Sequence, residues 1–310
     1  AQGPLTDKGY AEARDFALGR SDEIDAMLSQ NADKILPART AADARRIDAA
    51  GKLIAFKSME NSYPLGKDLG LLQEFYKRGV RMAGPVHSSN NQFADSSGDT
   101  PKWNGLSPLG REWVKEMNRL GMVIDGSHAS DTAFDQLVAL SKTPLILSHT
   151  SPKAVSDLPR NLDDARIRTL AESGGAICVS TIFLAPMNLP PEKAELFGKL
   201  DYIGEMTPSE QAEYVQAWNA LEKSEPLWAV DFEKYMAAVL HVIEVAGVDH
   251  TCFGGDWDGG GGFKGFADIT ALPKVTARLK QAGYSDTDIE KMWSGNILRI
   301  LDAADAAREK

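Results

Sequence analysis

Short apolar runs rich in Val, Ile and Leu recur along the chain, and each is followed by a stretch whose apolar positions fall at helical spacing. That alternation is the pattern of buried parallel strands joined by crossover helices. It is clearest over residues 121–152, GMVIDGSHASDTAFDQLVALSKTPLILSHTSP. One apolar run there ends in Ser127-His128, a helical segment follows, and a second run ends in Ser148-His149. Two successive strands therefore deliver a histidine to one edge of a sheet, the carboxyl-terminal edge where α/β folds carry function.

Residues 6–33 and 41–49 are helical in pattern and are expected to be scaffold. Residues 51–60 form a strand ending on Glu60, and 66–77 an amphipathic helix with Leu69, Leu72 and Tyr76 at core spacing. The strand 79–87 ends on His87 and leads into a polar loop, 88–103. Ser107 is placed to cap a helix with Pro108 at its first position, and that helix sets Trp113, Met117 and Leu120 on one face. A helix over 163–173 and a strand over 175–181 come next. Between 183 and 226 the rhythm breaks at Pro186, Pro190, Pro191 and Pro208, around a helix-like piece at 211–221. This is the pattern of an insertion or lid over one end of the sheet. A helix over 231–246, a strand over 250–256 and two helices around 268–282 and 286–303 finish the chain. The count is six strand-then-helix units, two short of a closed (β/α)8 barrel.

Composition narrows the class. With 310 residues, 43% hydrophobic and 25% charged, the chain can bury a large core as one domain over 1–310. A formal charge of −10 argues against nucleic acid or an anionic membrane surface as partner. No apolar run approaches the length of a membrane span. The start, AQGPLTDKGY, has neither the basic nor the apolar stretch of a signal peptide. One already removed would leave no trace, so an exported and a cytoplasmic location stay open. Cys178 and Cys252 lie inside apolar strand runs and are expected to be small buried hydrophobes, in preference to a disulfide or thiolate ligands.

Chemistry collects at the strand ends. Five of the six strands end in Glu60, His87, His128, His149 or Asp256. Imidazole nitrogens and carboxylates are what zinc takes, and a carboxylate can bridge two ions. Each residue alone has a structural explanation, but the set points to a metal site. His241 lies inside a helix and His250 at the opposite end of its strand, so both are expected to be structural. Asp256-Trp257-Asp258-Gly259 lacks the acidic positions of an EF-hand loop, and the glycines after it are expected to give a mobile loop beside the site.

Several motifs together resemble the membrane (renal) dipeptidase family. They are His87-Ser88-Ser89-Asn90-Asn91 with Ala94-Asp95-Ser96, Gly105-Leu106-Ser107-Pro108-Leu109-Gly110-Arg111, Met117-Asn118-Arg119-Leu120-Gly121-Met122, Ile124-Asp125-Gly126-Ser127-His128, Ser148-His149-Thr150-Ser151, Pro159-Arg160-Asn161, Gly254-Gly255-Asp256-Trp257-Asp258-Gly259 and Gly295-Asn296-Ile297-Leu298-Arg299. The resemblance implies an α/β metal-dependent hydrolase on a (β/α)8 TIM-type barrel, normally with two zinc ions, acting on dipeptides. Carried over by residue, Glu60 would bridge the metals and His128 and His149 would ligate one of them. His87 would contact the substrate carbonyl, Arg160 the substrate carboxylate, and Asp256 would be the acid/base. Water activated to hydroxide by the zinc would be the nucleophile. A dipeptide is the expected ligand, and a homodimer is compatible with the resemblance.

Two departures matter. The family's first strand carries a His-x-Asp pair for the other zinc, and no His-x-Asp occurs in this sequence. With six strands counted, the expectation is that the first two strands are missing from this chain, as a fragment or a degenerate member. Asn61-Ser62 follow Glu60 where many relatives have small residues, which leaves substrate detail open. The alternatives are another amide or lactone hydrolase on the same scaffold, or a non-catalytic binding or maturation protein that has lost the first metal.

Overall fold

In a computed structural model, which describes residues 2–309, the chain alternates short strands with helices. The order is α1 (Asp7–Gln30), β1 (Ile35–Pro37), α2 (Ala41–Ala49), β2 (Leu53–Ala55), β3 (Lys57–Met59), α3 (Gly70–Lys77), β4 (Val80–Ala83), α4 (Pro108–Leu120), β5 (Val123–Ile124), α5 (Asp131–Leu140), β6 (Ile146–Thr150), α6 (Asp164–Glu172), β7 (Ala176–Ser180), α7 (Pro191–Lys199), α8 (Pro208–Ser224), α9 (Phe232–Ala246), β8 (Thr251–Gly254), α10 (Leu272–Gln281), α11 (Asp286–Glu290) and α12 (Asn296–Ala306). The crossover helices start where the sequence supplies a cap. Ser107, Ser130, Asp163 and Asp231 each accept a backbone N–H three residues on. Replacing such a cap by alanine costs about 1 kcal/mol. Gly121 ends α4 at φ 69°, and a Cβ there would lie 2.8 Å from the Ala304 carbonyl, so the position takes glycine.

All strand pairing is parallel and follows sequence order. β1 pairs with β2, and beyond Phe56 the same extended run pairs as β3 with β4. β4 pairs with β5, a bridge between Asp125 and Ile146 carries the ladder to β6, and β6, β7 and β8 follow. The main core lies between these strands and α3, α4, α5, α6 and α9. Trp113, Leu72, Phe134, Ile167 and Val239 are all buried there. Beneath the array, Ile300 and Ala304 of α12 pack on Val123, Ile146 and Ala176.

Three expectations are corrected. First, Ile35–Pro37 is a strand that the pattern missed, so the expected loss of two strands is not supported. Three residues ending in proline are too short to show a period. Second, among the described residues no pairing joins β8 to β1: the strands form an open parallel array in three sheets, not a closed barrel. Third, Cys178 and Cys252 are bonded to each other. They are as buried as expected, but the parallel register of β7 and β8 sets them directly opposite one another, a proximity that a separation of 74 residues conceals.

Residues 183–226 hold α7, whose first helical residue is Pro191, and α8. Lys193 of α7 is fully buried; its Nζ donates to Glu222 Oε2 and to the Glu225 carbonyl, each at 2.5 Å, and so ties the two helices together. Removing Glu222 would leave the buried Lys193 charge without its counter-ion, a loss that typically costs several kcal/mol.

The disulfide makes a direct prediction. Mass spectrometry after alkylation of the denatured, unreduced chain should find neither cysteine modified; modification of both would show that the bond is not formed. Reduction should cost about 2–4 kcal/mol of stability, read as a shift in the denaturation midpoint.

Candidate metal centre

The parallel array turns five ionisable side chains toward one edge. Glu60 follows β3, His87 lies beyond the end of β4, His128 beyond β5, His149 within β6 and Asp256 beyond β8. Three of them converge. His128 Nε2 is 3.0 Å from Glu60 Oε1 and 2.9 Å from His149 Nε2, and His149 Nε2 is 3.1 Å from Glu60 Oε1. His128 and His149 are buried, whereas half of the Glu60 side chain faces solvent.

Two imidazole nitrogens and a carboxylate oxygen cannot crowd this closely around nothing. A neutral imidazole N–H donating to Glu60, or a cation in its place, can lie among them. A second proton on the ring is disfavoured, since burial pushes the His128 imidazole down to about 3 against the pull of Glu60. The Glu60 carboxyl is held well below the usual carboxylate range, first by its hydrogen bond with His128, so it stays charged. An anionic oxygen beside two imidazole nitrogens, with ligand atoms all within 4.8 Å of one another, is a donor set that fits a divalent cation such as zinc.

Around this centre the other expected residues differ in their engagement. His87 Nε2 is 3.6 Å from Glu60 Oε1, and its ring lies 4.2 Å from that of His128 between centroids. Its Nδ1 is 3.0 Å from Ser88 Oγ. If that hydroxyl donates to Nδ1, the ring carries its proton on Nε2, the nitrogen nearer Glu60. Burial lowers the His87 pKa, partly opposed by Glu60. Arg160 reaches in from the loop after β6. It donates from Nη1 to Thr150 Oγ1 at 2.9 Å and from Nη2 to the His149 carbonyl at 3.0 Å. Its Nε is buried with no hydrogen-bond partner, and burial lowers the guanidinium to about 10 against the charges of Asp125, Glu60 and Asp256.

Asp256 sits just past β8 in the left-handed region, φ 49°. Its carbonyl accepts from Gly259 N and Gly261 N, while Thr181 Oγ1 donates to the Gly255 carbonyl and accepts from Gly262 N. Trp228 Nε1 donates to the Gly260 carbonyl at 2.9 Å, so the glycine stretch is tied down at several points. Away from the centre, His241 bonds Asp164 and His250 bonds the Gly175 carbonyl, as expected of structural histidines.

These residues lie within a region that matches a known family from residue 4 to residue 310, the model described as "Membrane dipeptidase (Peptidase family M19)". The chain belongs to the membrane dipeptidase family. Among its relatives in that family, Dipeptidase tcpJ of Claviceps purpurea is 30% identical over 294 residues, 94% of this chain. The match covers 60% of that relative, so the chain spans less than two thirds of its length. The probable dipeptidase PvdM from Pseudomonas aeruginosa superposes with a TM-score of 0.83 at 32% identity, covering 97% of this chain and 82% of that one. A metallo peptidase from Rhodobacter sphaeroides, solved with a phosphinate mimic of the dipeptide L-Ala-D-Ala, superposes with a TM-score of 0.77 at 26% identity. It covers 94% of this chain and 75% of the other.

Asp125, Ser127 and Ser148 stand inside the family motifs, but no local pattern in the sequence marks a role for them. Their partners lie on a neighbouring strand, and only the register of β5 against β6 shows them.

Replacing Glu60 by Gln or His149 by Ala should reduce retained divalent cation to background, read by elemental analysis after dialysis. Full retention in both variants would place the metal elsewhere.

Proposed function

We propose that this chain is a zinc-dependent dipeptidase, hydrolysing the peptide bond of a dipeptide at the Glu60–His128–His149 centre. The observation that carries the reading is the convergence of those three donors at the carboxyl end of the parallel strands. Membership of the family and the dipeptide mimic bound by the Rhodobacter sphaeroides metallo peptidase support it. We also read the open array as an arc of a (β/α)8 barrel, one domain with residues 183–226 as an insertion over the site. The parallel pairing in sequence order supports that reading.

A divalent cation held by Glu60, His128 and His149 would supply a Lewis acid that polarises the scissile carbonyl and makes water nucleophilic near neutral pH. Among the described residues one three-donor set is found; the second zinc of the family would need a His-x-Asp pair that this sequence lacks. The chain's own residues do the rest. Arg160 is anchored by Thr150 and the His149 carbonyl, and would pair with the free carboxylate of a short peptide. His87 Nε2–H would donate to the oxygen that gains charge in the transition state. Asp256 would take a proton from the attacking water on its carboxylate and return it to the departing amine.

A panel of dipeptides tested on zinc-loaded protein checks the reading. Dipeptides should be cleaved, and the same peptides with an amidated carboxyl end should be poor substrates. No turnover of any dipeptide alongside hydrolysis of lactones or acylated amino acids would sink it. Asp256→Asn should lower kcat by about 10²–10⁴-fold with zinc content unchanged, whereas Arg160→Lys should act mainly by raising KM. These are measured by steady-state kinetics.

A further inference from the structure

The Asp125 carboxylate is 3% exposed and three of its contacts lie at the ends of the two histidine-bearing strands. Oδ1 accepts from Ser127 N at 2.9 Å and from Ser148 N at 3.1 Å, and Oδ2 accepts from Ser148 Oγ at 2.5 Å. A hydroxyl has one proton. Having given it to the Asp125 carboxylate, Ser148 Oγ can only accept from His149 Nδ1, 2.7 Å away. The chain of donors therefore runs in one direction, from His149 Nδ1–H to Ser148 Oγ–H to Asp125. His149 is left with a bare Nε2, and that is the nitrogen facing His128 and Glu60.

We infer that Asp125 is a positioning residue for the metal centre: through Ser148 it fixes the His149 tautomer, and through Ser127 N and Ser148 N it holds the two ligand-bearing strand ends in register. The inference rests on the metal-site reading of Glu60, His128 and His149, but it concerns a proton position that exists in the metal-free protein. Further bonds keep the two strand ends together. His149 N donates to Ser127 Oγ at 3.2 Å, and Gly126 N donates to the Ile146 carbonyl at 2.8 Å. Partners that orient a ligating histidine in this way commonly contribute 10- to 100-fold to metal affinity.

Asp125→Asn tests the direction of the chain. An amide can keep its oxygen toward the backbone N–H groups, which turns its NH₂ toward Ser148. Ser148 Oγ must then accept from the amide and donate to His149 Nδ1, which moves the imidazole proton to Nε2. Long-range ¹H–¹⁵N spectra of the metal-free protein should show His149 protonated on Nδ1 in the wild type and on Nε2 in Asp125→Asn. Ser148→Ala, which retains the backbone bonds, should release the preference, and Ser148→Thr should restore it. Zinc affinity, measured by chelator competition, should fall about 10- to 100-fold in Asp125→Asn and Ser148→Ala and recover in Ser148→Thr. If Asp125→Asn does not fold, the two Ser148 variants carry the test. The same Nδ1–H tautomer in the wild type and Ser148→Ala would overturn the inference, as would wild-type zinc affinity in Ser148→Ala. A wild type that binds no zinc would overturn the metal-site reading alone, since the tautomer is read without metal.

Discussion

Two imidazole nitrogens 2.9 Å apart, with a carboxylate oxygen 3.0 Å from one and 3.1 Å from the other, are the constraint on which the rest of this structure depends. A neutral imidazole N–H or a bound cation can hold them this close, and the surroundings favour a site open to the cation. Burial makes a second proton on His128 costly, and the charged Glu60 remains accessible beside two imidazole nitrogens that can ligate. A flexible surface would let the three groups drift apart. Here they are held by strand ends whose backbone is committed to the ladder on either side.

Parallel pairing is what makes the convergence general. Every strand from β3 to β8 points its carboxyl end the same way, so side chains far apart in sequence share one edge. The backbone pays locally for the final approach: His128, Phe183 and Asp256 take left-handed φ values beyond their strands, unusual for residues with a side chain. The Arg160 guanidinium carries the countercharge, lying near Asp125, Glu60 and Asp256 and stacking 5.5 Å from the Phe183 ring centroid.

Much of this was legible in the sequence, and the limits have physical causes. Apolar runs that terminate in Glu60, His87, His128, His149 and Asp256 announce themselves, because burial on both faces forces continuous hydrophobicity up to the point where chemistry begins. β1 escaped notice because Ile35–Pro37 is shorter than any period. α7 escaped because Pro190 and Pro191 read as breakers, although proline suits the first helical turn. The Cys178–Cys252 bond and the partners of Asp125 are facts of register between strands, and register is written in no single stretch of sequence.

The disulfide reaches further than its two strands. Its loop starts within β7, passes through α7, α8 and α9, and returns to β8, so the whole excursion begins and ends at one covalent knot. A protease that cuts an exposed turn between α7 and α8 would sever the chain without releasing either piece. The nicked molecule would keep both halves of the array, and would separate into fragments only after reduction.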